Sequence, residues 1–190
     1  MNYLTFIERL EQCGNLSEES KSLLRGRAPD LVIEERTHLL EPGSVCKHIY
    51  FIKEGLFRSY TLNDEKDETT NFMGPDDFMT SISSFFNRSF SSEGLVCENK
   101  AIVIRVSYHD WMAMCQEDPN FMEISLNIIV GYLVSHYEQS HIYRTGNTSD
   151  KLEQLCRIYP GILNKVAQKH IASYFGVTEQ TMSSIITNMK

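Results

Sequence analysis

Between residues 169 and 187 the chain sets out side chains that suit contact with a polyanion and with the edges of bases. Lys169, His170, Thr178 and Thr181 bring a cation, an imidazole and two hydroxyls, the groups that reach phosphate oxygens. Glu179, Gln180, Ser183, Ser184 and Thr187 recur at a spacing that puts them on one side of a single helix. A glutamine amide can pair with adenine N6 and N7, and a carboxylate can accept from cytosine N4. Glu179 has a second reading, in which its charge opposes the positive end of the helix dipole. No arginine, the usual bidentate reader of guanine, stands among them, so the set implies a weak or unusual base preference.

These side chains need two short crossed helices to hold them. "IASYFGVTEQTMSSIITNMK" (Ile171–Lys190) has the spacing of a helix-turn-helix. Ala172 is small where the helices cross, and Gly176 stands at the tight turn where a positive φ is needed. Ile171, Phe175, Val177, Met182 and Ile185 occupy the inward positions, and Thr178 is placed to cap the second helix. An ordinary pair of core helices would also need inward apolar residues and a turn glycine. Charge separates the two readings. Residues 1–150 carry 13 Lys/Arg against 23 Asp/Glu, whereas residues 151–190 carry 5 against 2. An acidic body with a basic tail suits two modules, only the second fit for phosphate.

Other chemistries find less support. The five cysteines are scattered without a CxxC pair, as reduced thiols of a cytosolic protein would be. The histidines show no ligand spacing, so neither a metal nor a cofactor is expected. Asp76-Asp77 is the one carboxylate pair worth weighing for catalysis. Adjacent residues on a strand or turn diverge, and no nucleophile, base and orienter come together, so an enzyme is not expected. No apolar run approaches the ~18 residues that span a bilayer. The opening "MNYLTFIERLEQ" lacks a secretory pattern, which leaves a cytoplasmic protein as the expectation.

The remainder of the chain predicts an α+β architecture. Residues 3–27 have helical periodicity, with Ser17-Glu18-Glu19 as a second start. From about 30 to 107 the pattern turns to short runs such as "HIYFIKEGLFRSYTL" and "LVCENKAIVIRVS". Pro42-Gly43, Glu54-Gly55, Asn63-Asp64 and Gly74-Pro75 punctuate them, as in an antiparallel sandwich or barrel. "YHDWMAMCQED" then predicts a short helix, and residues 120–144 a long one. Met122, Leu126, Ile129, Leu133 and Tyr137 stripe that helix; Ile124, Ile128 and Val130 add apolar surface elsewhere. Two apolar faces need two neighbours, the barrel and a partner helix, and a symmetric homodimer supplies the second. "TGNTSD" (145–150) reads as a hinge, and Asp150 with Glu153 as the start of the next helix.

Barrel, short helix, long helix, hinge and helix-turn-helix, in this order, resemble the catabolite-activator/FNR (Crp/Fnr) family of bacterial transcription regulators. "LEPGSVCKHIYFIKEGLFRSY" is similar to the turn and paired strands of that family's cyclic-nucleotide-binding β-roll, and "GPDDF" to the step into its phosphate cassette. The resemblance implies four regions: an effector domain with flanking helices at 1–119, a dimerisation helix at 120–144, a hinge at 145–150 and a DNA-binding domain at 151–190. It also implies a double-stranded DNA operator as partner.

Two departures qualify it. Nucleotide-binding members have Gly-Glu at the start of the cassette and Arg-Ser/Thr at its end. Here Thr80-Ser81 and Ser91-Ser92 stand at those places, Glu93 follows directly, and Arg88 comes three residues early. These five are the effector-pocket candidates: Thr80, Ser81, Arg88, Ser91 and Ser92. A lost arginine–phosphate pair lowers affinity by orders of magnitude, so a response to cyclic AMP is not expected. Phe85, Phe86 and Phe90 are available to fill the space, or the cavity takes another small molecule. The second departure concerns the wing that family members carry after the reading helix: a helix-turn-helix domain lacking a full wing is expected here. The alternative is a degenerate β-roll regulator that acts as a protein-interaction module without specific DNA binding.

Overall fold

The computed structural model describes residues 5–64, 66–145 and 147–189. Two helices open it, α1 (Phe6–Glu11) and α2 (Glu18–Arg27). Thr5 and Glu8 form a reciprocal capping box on α1, and Ser17 caps α2. The helical periodicity read over 3–27 is thus divided by a turn, and the buried Leu16 pins the link between the two helices.

Six strands follow: β1 (Asp30–Ile33), β2 (His38–Leu40), β3 (His48–Asn63), β4 (Lys66–Met73), β5 (Phe78–Met79) and β6 (Glu93–Ser107). All pair antiparallel, in the order β1-β6-β3-β4, with β2 on β6 and β5 on β3. The spine is β3 against β6, from His48 opposite Ser107 to Thr61 opposite Glu93. Ile49, Tyr50, Phe51 and Ile52 are all buried in succession, so this stretch is covered on both faces and alternation gives way to a continuous apolar run. The short helix α3 (Ile82–Asn87) interrupts the sheet before β6.

Helix α4 (Tyr108–Glu117) is capped by Ser107, and α5 (Pro119–Thr145) is the long helix. Phe121, Ile124 and Ser125 of α5 are buried and Ile128 packs on the same core, where Trp111 meets Phe121 at 5.0 Å between ring centres. The other face stays open: Met122, Leu126, Val130, Leu133 and Tyr137 are exposed. None of the helices among the described residues is long and apolar enough to cross a membrane.

The last four helices are α6 (Thr148–Ile158), α7 (Ile162–Lys165), α8 (Gln168–Tyr174) and α9 (Glu179–Asn188). Helix α6 starts earlier than Asp150 suggested. The Asn147 side chain accepts from the Asp150 amide, so Asn147 is the cap and Asp150 falls in the first turn. Of the segment read as a hinge, Gly146 lies outside the described residues, as does Lys190 at the end of the helix-turn-helix. The head helices share a second core with the roll, in which Leu56 and Phe72 join Leu152, Leu155, Ile162, Ile171 and Met182.

Candidate nucleic-acid interface

Helix α8 ends in a Schellman motif: Gly176 N–H donates to Ser173 O and Val177 N–H to Ala172 O, both at 3.0 Å. Gly176 sits at φ +65°, which a residue bearing a Cβ adopts only with strain. The chain then re-enters a helix at Thr178, whose Oγ1 accepts from Thr181 N–H at 3.1 Å. Ile171, Ala172 and Met182 are buried at the crossing, with Phe175, Val177 and Ile185 packed around them. Every inward position expected of the motif faces inward.

The outward positions divide. Lys169, Thr178, Glu179, Gln180, Thr181, Ser183, Ser184 and Thr187 are all exposed. Ser184 Oγ donates to Gln180 O at 3.0 Å and Thr187 Oγ1 to Ser183 O at 2.9 Å, so both hydroxyls turn lone pairs outward. Such a face accepts hydrogen bonds better than it donates them, and the amino groups of adenine and cytosine are its natural complements. Among the described residues no bond engages the Gln180 side-chain amide. Gln168 belongs with this set although it was not among the sequence candidates. Its Nε2 donates to Glu179 O at 2.9 Å, and it lines a shallow concavity with Glu179, Gln180 and Ser183. Its one sequence signal was its place at the start of the preceding helix.

His170 does not join them. Its ring is turned toward the roll, with Nδ1 4.0 Å from Asp67 Oδ1 and only 15% of the side chain exposed. Burial, and then the nearby Arg58 charge, hold the imidazole below its usual range and therefore neutral at pH 7. The Arg58 side chain is itself buried, with Nε on Glu98 at 2.7 Å and its two terminal nitrogens on the Asp67 carboxylate. Charge-paired groups of the roll thus occupy the space in front of His170.

The roll's own candidates separate as well. Ser81 and Ser91 meet at 3.0 Å and are buried, and Ser91 Oγ also donates to Glu93 O. Thr80 Oγ1 donates to His48 O at 3.0 Å, and Ser92 is exposed. Arg88, at φ +54°, gives Nη1 to Cys46 O at 2.7 Å and to Phe85 O, while its guanidinium lies 4.1 Å over the Tyr108 ring. The cation that a cyclic phosphate needs is therefore spent closing the end of α3. Phe85 is fully buried and contacts Phe86 and Tyr108 edge-on, as filled core should. Phe90 was expected to fill the same space but is 77% exposed, because its backbone bridges Val45 and turns the ring outward. Among the described residues no group of His, Cys, Asp and Glu suits a metal ion.

Comparison with known proteins bears on the fold. Residues 31–118 match the cyclic nucleotide-binding domain family. No curated protein sequence matches the chain. Among solved structures, FixK2 from Bradyrhizobium japonicum superposes with a TM-score of 0.71 at 15% identity, over 85% of this chain and 84% of that one. A protein of Eubacterium rectale, described as a transcriptional regulator of the crp/fnr family, gives 0.74 at 12% identity over 100% and 88%. The c-di-GMP responsive global regulator CLP of Xanthomonas campestris gives 0.68 at 12% identity, over 91% of each chain. At such identities the likeness speaks to fold.

Proposed function

From a chain that carries a cyclic nucleotide-binding domain and has the fold of the Crp/Fnr transcription regulators, we propose a dimeric, DNA-binding transcription regulator that does not respond to cyclic AMP. The observation that carries this reading is the exposed outward face of α9, held by a capped turn on a helix pair whose inner face is packed. Lys169 and the amides at the start of α9 are the phosphate contacts, and Gln180 with Glu179 the base readers. Gln168 stands beside them. The apolar stripe of α5 would meet its copy in a second chain, and a two-fold pair of heads reads two half-sites about 34 Å apart. In this division residues 1–119 hold the effector roll, 120–144 the dimer helix and 151–190 the head, with the hinge read at 145–150 narrowed to the junction before Thr148, where α6 begins, in a cytoplasmic protein.

Selection of fragmented genomic DNA on the purified protein tests it, at two ionic strengths fourfold apart. Enrichment of a two-fold-symmetric site, lost steeply as salt rises, is the expected result. Cyclic AMP at millimolar concentration should leave the melting temperature unchanged, because Arg88 is committed to Cys46 O and Phe85 O. The arginine-free face of α9 favours a second reading, a protein-interaction module without specific DNA binding. Failure to enrich any site at either salt, with or without a ligand that binds the protein, would bring that reading forward.

A further inference from the structure

A cavity of 280 Å³ lies between α1, α3, α4 and the long helix α5. It is separate from the serine cluster of the cassette, since Ser81, Arg88, Ser91 and Ser92 do not line it. Its wall is mainly apolar: Ile49, Phe78, Ile82, Phe86, Trp111 and Ile128. Ligand sites have this composition, apolar walls with a few placed polar groups, and helix interfaces are a common place for them.

The polar groups define the chemistry of a guest. Arg9 lines the cavity, and its guanidinium holds only neutral acceptors: Asp76 O at 3.3 Å, Gln12 Oε1 at 3.4 Å and Cys13 Sγ at 3.6 Å. The two contacts to oxygen are long, and among the described residues no carboxylate is ion-paired with it. Trp111 lines the same cavity with its ring, and its indole nitrogen is buried away from the open space. Thr80 also reaches the cavity, but its hydroxyl already donates to His48 O. A cation held only by neutral acceptors beside an apolar wall asks for an anionic acceptor on an apolar body. Size narrows the body further. A cavity of about 150 Å³ holds benzene, so 280 Å³ admits one ring with a short acidic arm.

We propose that this cavity binds a small aromatic monocarboxylate, with its charge on Arg9 and its ring among Phe78, Phe86 and Trp111. Asp77 also lines the cavity; its carboxyl accepts from the Gly74 amide at 2.8 Å and feels the charge of Arg9, so a carboxylate guest competes with it for that cation. The site touches the element that would carry a signal. Asn127 of α5 donates to Cys13 O beside α1 at 2.7 Å, and Ile128 lies one residue on, in the cavity wall. A guest therefore presses on the same helix whose outer face is open to a second copy. That consequence rests on the regulator reading; the binding itself does not.

Binding can be followed on the full chain without DNA. Trp111 is the single tryptophan, so its fluorescence reports directly on the cavity, and calorimetry gives the heat. Phenylacetate and 3-phenylpropionate are the probes, with 2-phenylethanol as the neutral match and acetate as the anion without a ring. Saturable binding of the aromatic acids is expected, at least roughly tenfold tighter than 2-phenylethanol, and weakened by about the same factor in Arg9→Gln. Because Arg9 also braces the Asp76 carbonyl, Ile82→Phe is the second variant. It fills the cavity from an apolar wall and should abolish binding with Arg9 intact. No saturation by either acid at millimolar concentration would overturn the proposal, as would equal binding of acid and alcohol, or binding that survives Ile82→Phe. Operator affinity, measured separately with and without the acid, tests the regulator reading. A protein that binds the acid but no DNA keeps this site and loses that function.

Discussion

The amide of Thr69 donates to Ser173 Oγ at 2.8 Å, tying strand β4 to helix α8 across 104 positions of sequence. Beside it Phe72 meets Tyr174 edge-on at 5.1 Å, and Tyr159 Oη donates to Phe72 O at 2.7 Å. The C-terminal helices are thus seated on the roll through β4, and that seat sets the orientation of α9. Gly74 makes room for it, since a Cβ there would come within 3.0 Å of the Tyr159 ring. Thr69 is buried, so removing its acceptor leaves an unmatched amide. Ser173→Ala should cost about 1–2 kcal/mol. Chemical denaturation measures the loss, and faster amide exchange at Thr69 would localise it to the seat.

Asp77 makes stability depend on pH. Burial raises its pKa from 3.8 to about 6, against the lowering effect of the Gly74 amide and the Tyr159 hydroxyl. The folded state therefore binds this proton more tightly than the unfolded state does. The resulting stabilisation is fully present below about 3.8 and is lost as the pH rises through 6. A difference of this size is on the order of 3 kcal/mol. Asp77→Asn keeps an oxygen for Gly74 but carries no charge. It should be more stable than the parent at pH 7.5 and nearly equal to it at pH 4, by urea denaturation at each pH.

The exposed stripe of α5 gives a test of assembly that spares the fold. Leu133 is 57% exposed, so Leu133→Glu adds no buried charge to a single chain. In a homodimer through this helix the same change sets two carboxylates in the shared apolar seam. Sedimentation should show the parent as a dimer and the variant as a monomer with the same helical content. A parent that sediments as a monomer at every concentration would remove the dimer from the reading.

Gln180 and Lys169 should fail in different ways. Gln180→Ala should relax specificity at one base position by about 1–3 kcal/mol, whereas Lys169→Ala weakens every sequence alike and flattens the salt dependence. Parallel losses on all sequences from both variants would deny Gln180 a reading role.

Much of the architecture could be read from local pattern, for a physical reason. Helical and strand periodicities, caps and turn glycines act over a few residues, so Thr178, Gly176 and the inward set from Ile171 to Ile185 carry their meaning in their order alone. The long helix was legible in the same way, but its two faces were not fully so: Val130, read apart from the open stripe, is exposed with it, and Ile129, read into that stripe, lines the inner cavity. The cap of α6 was not, because Asn147 and Asp150 compete for the same role and only backbone geometry decides between them.

What only the tertiary structure decided is which side chains meet. Sequence determined that a basic helix-turn-helix follows an acidic β-rich body, and that the cassette lacks its arginine at the expected place. It could not tell that Arg88 is spent on Cys46 O, or that His170 turns to Asp67 and away from the outward face of α9. Nor could it bring Arg9 and Trp111 to one cavity, or Ser173 to Thr69. Each of these contacts joins residues from 42 to 104 apart in sequence where a bond records the separation. Their partners are chosen by how the sheet rolls and where the head seats, which is a property of packing over the whole chain and has no local signature.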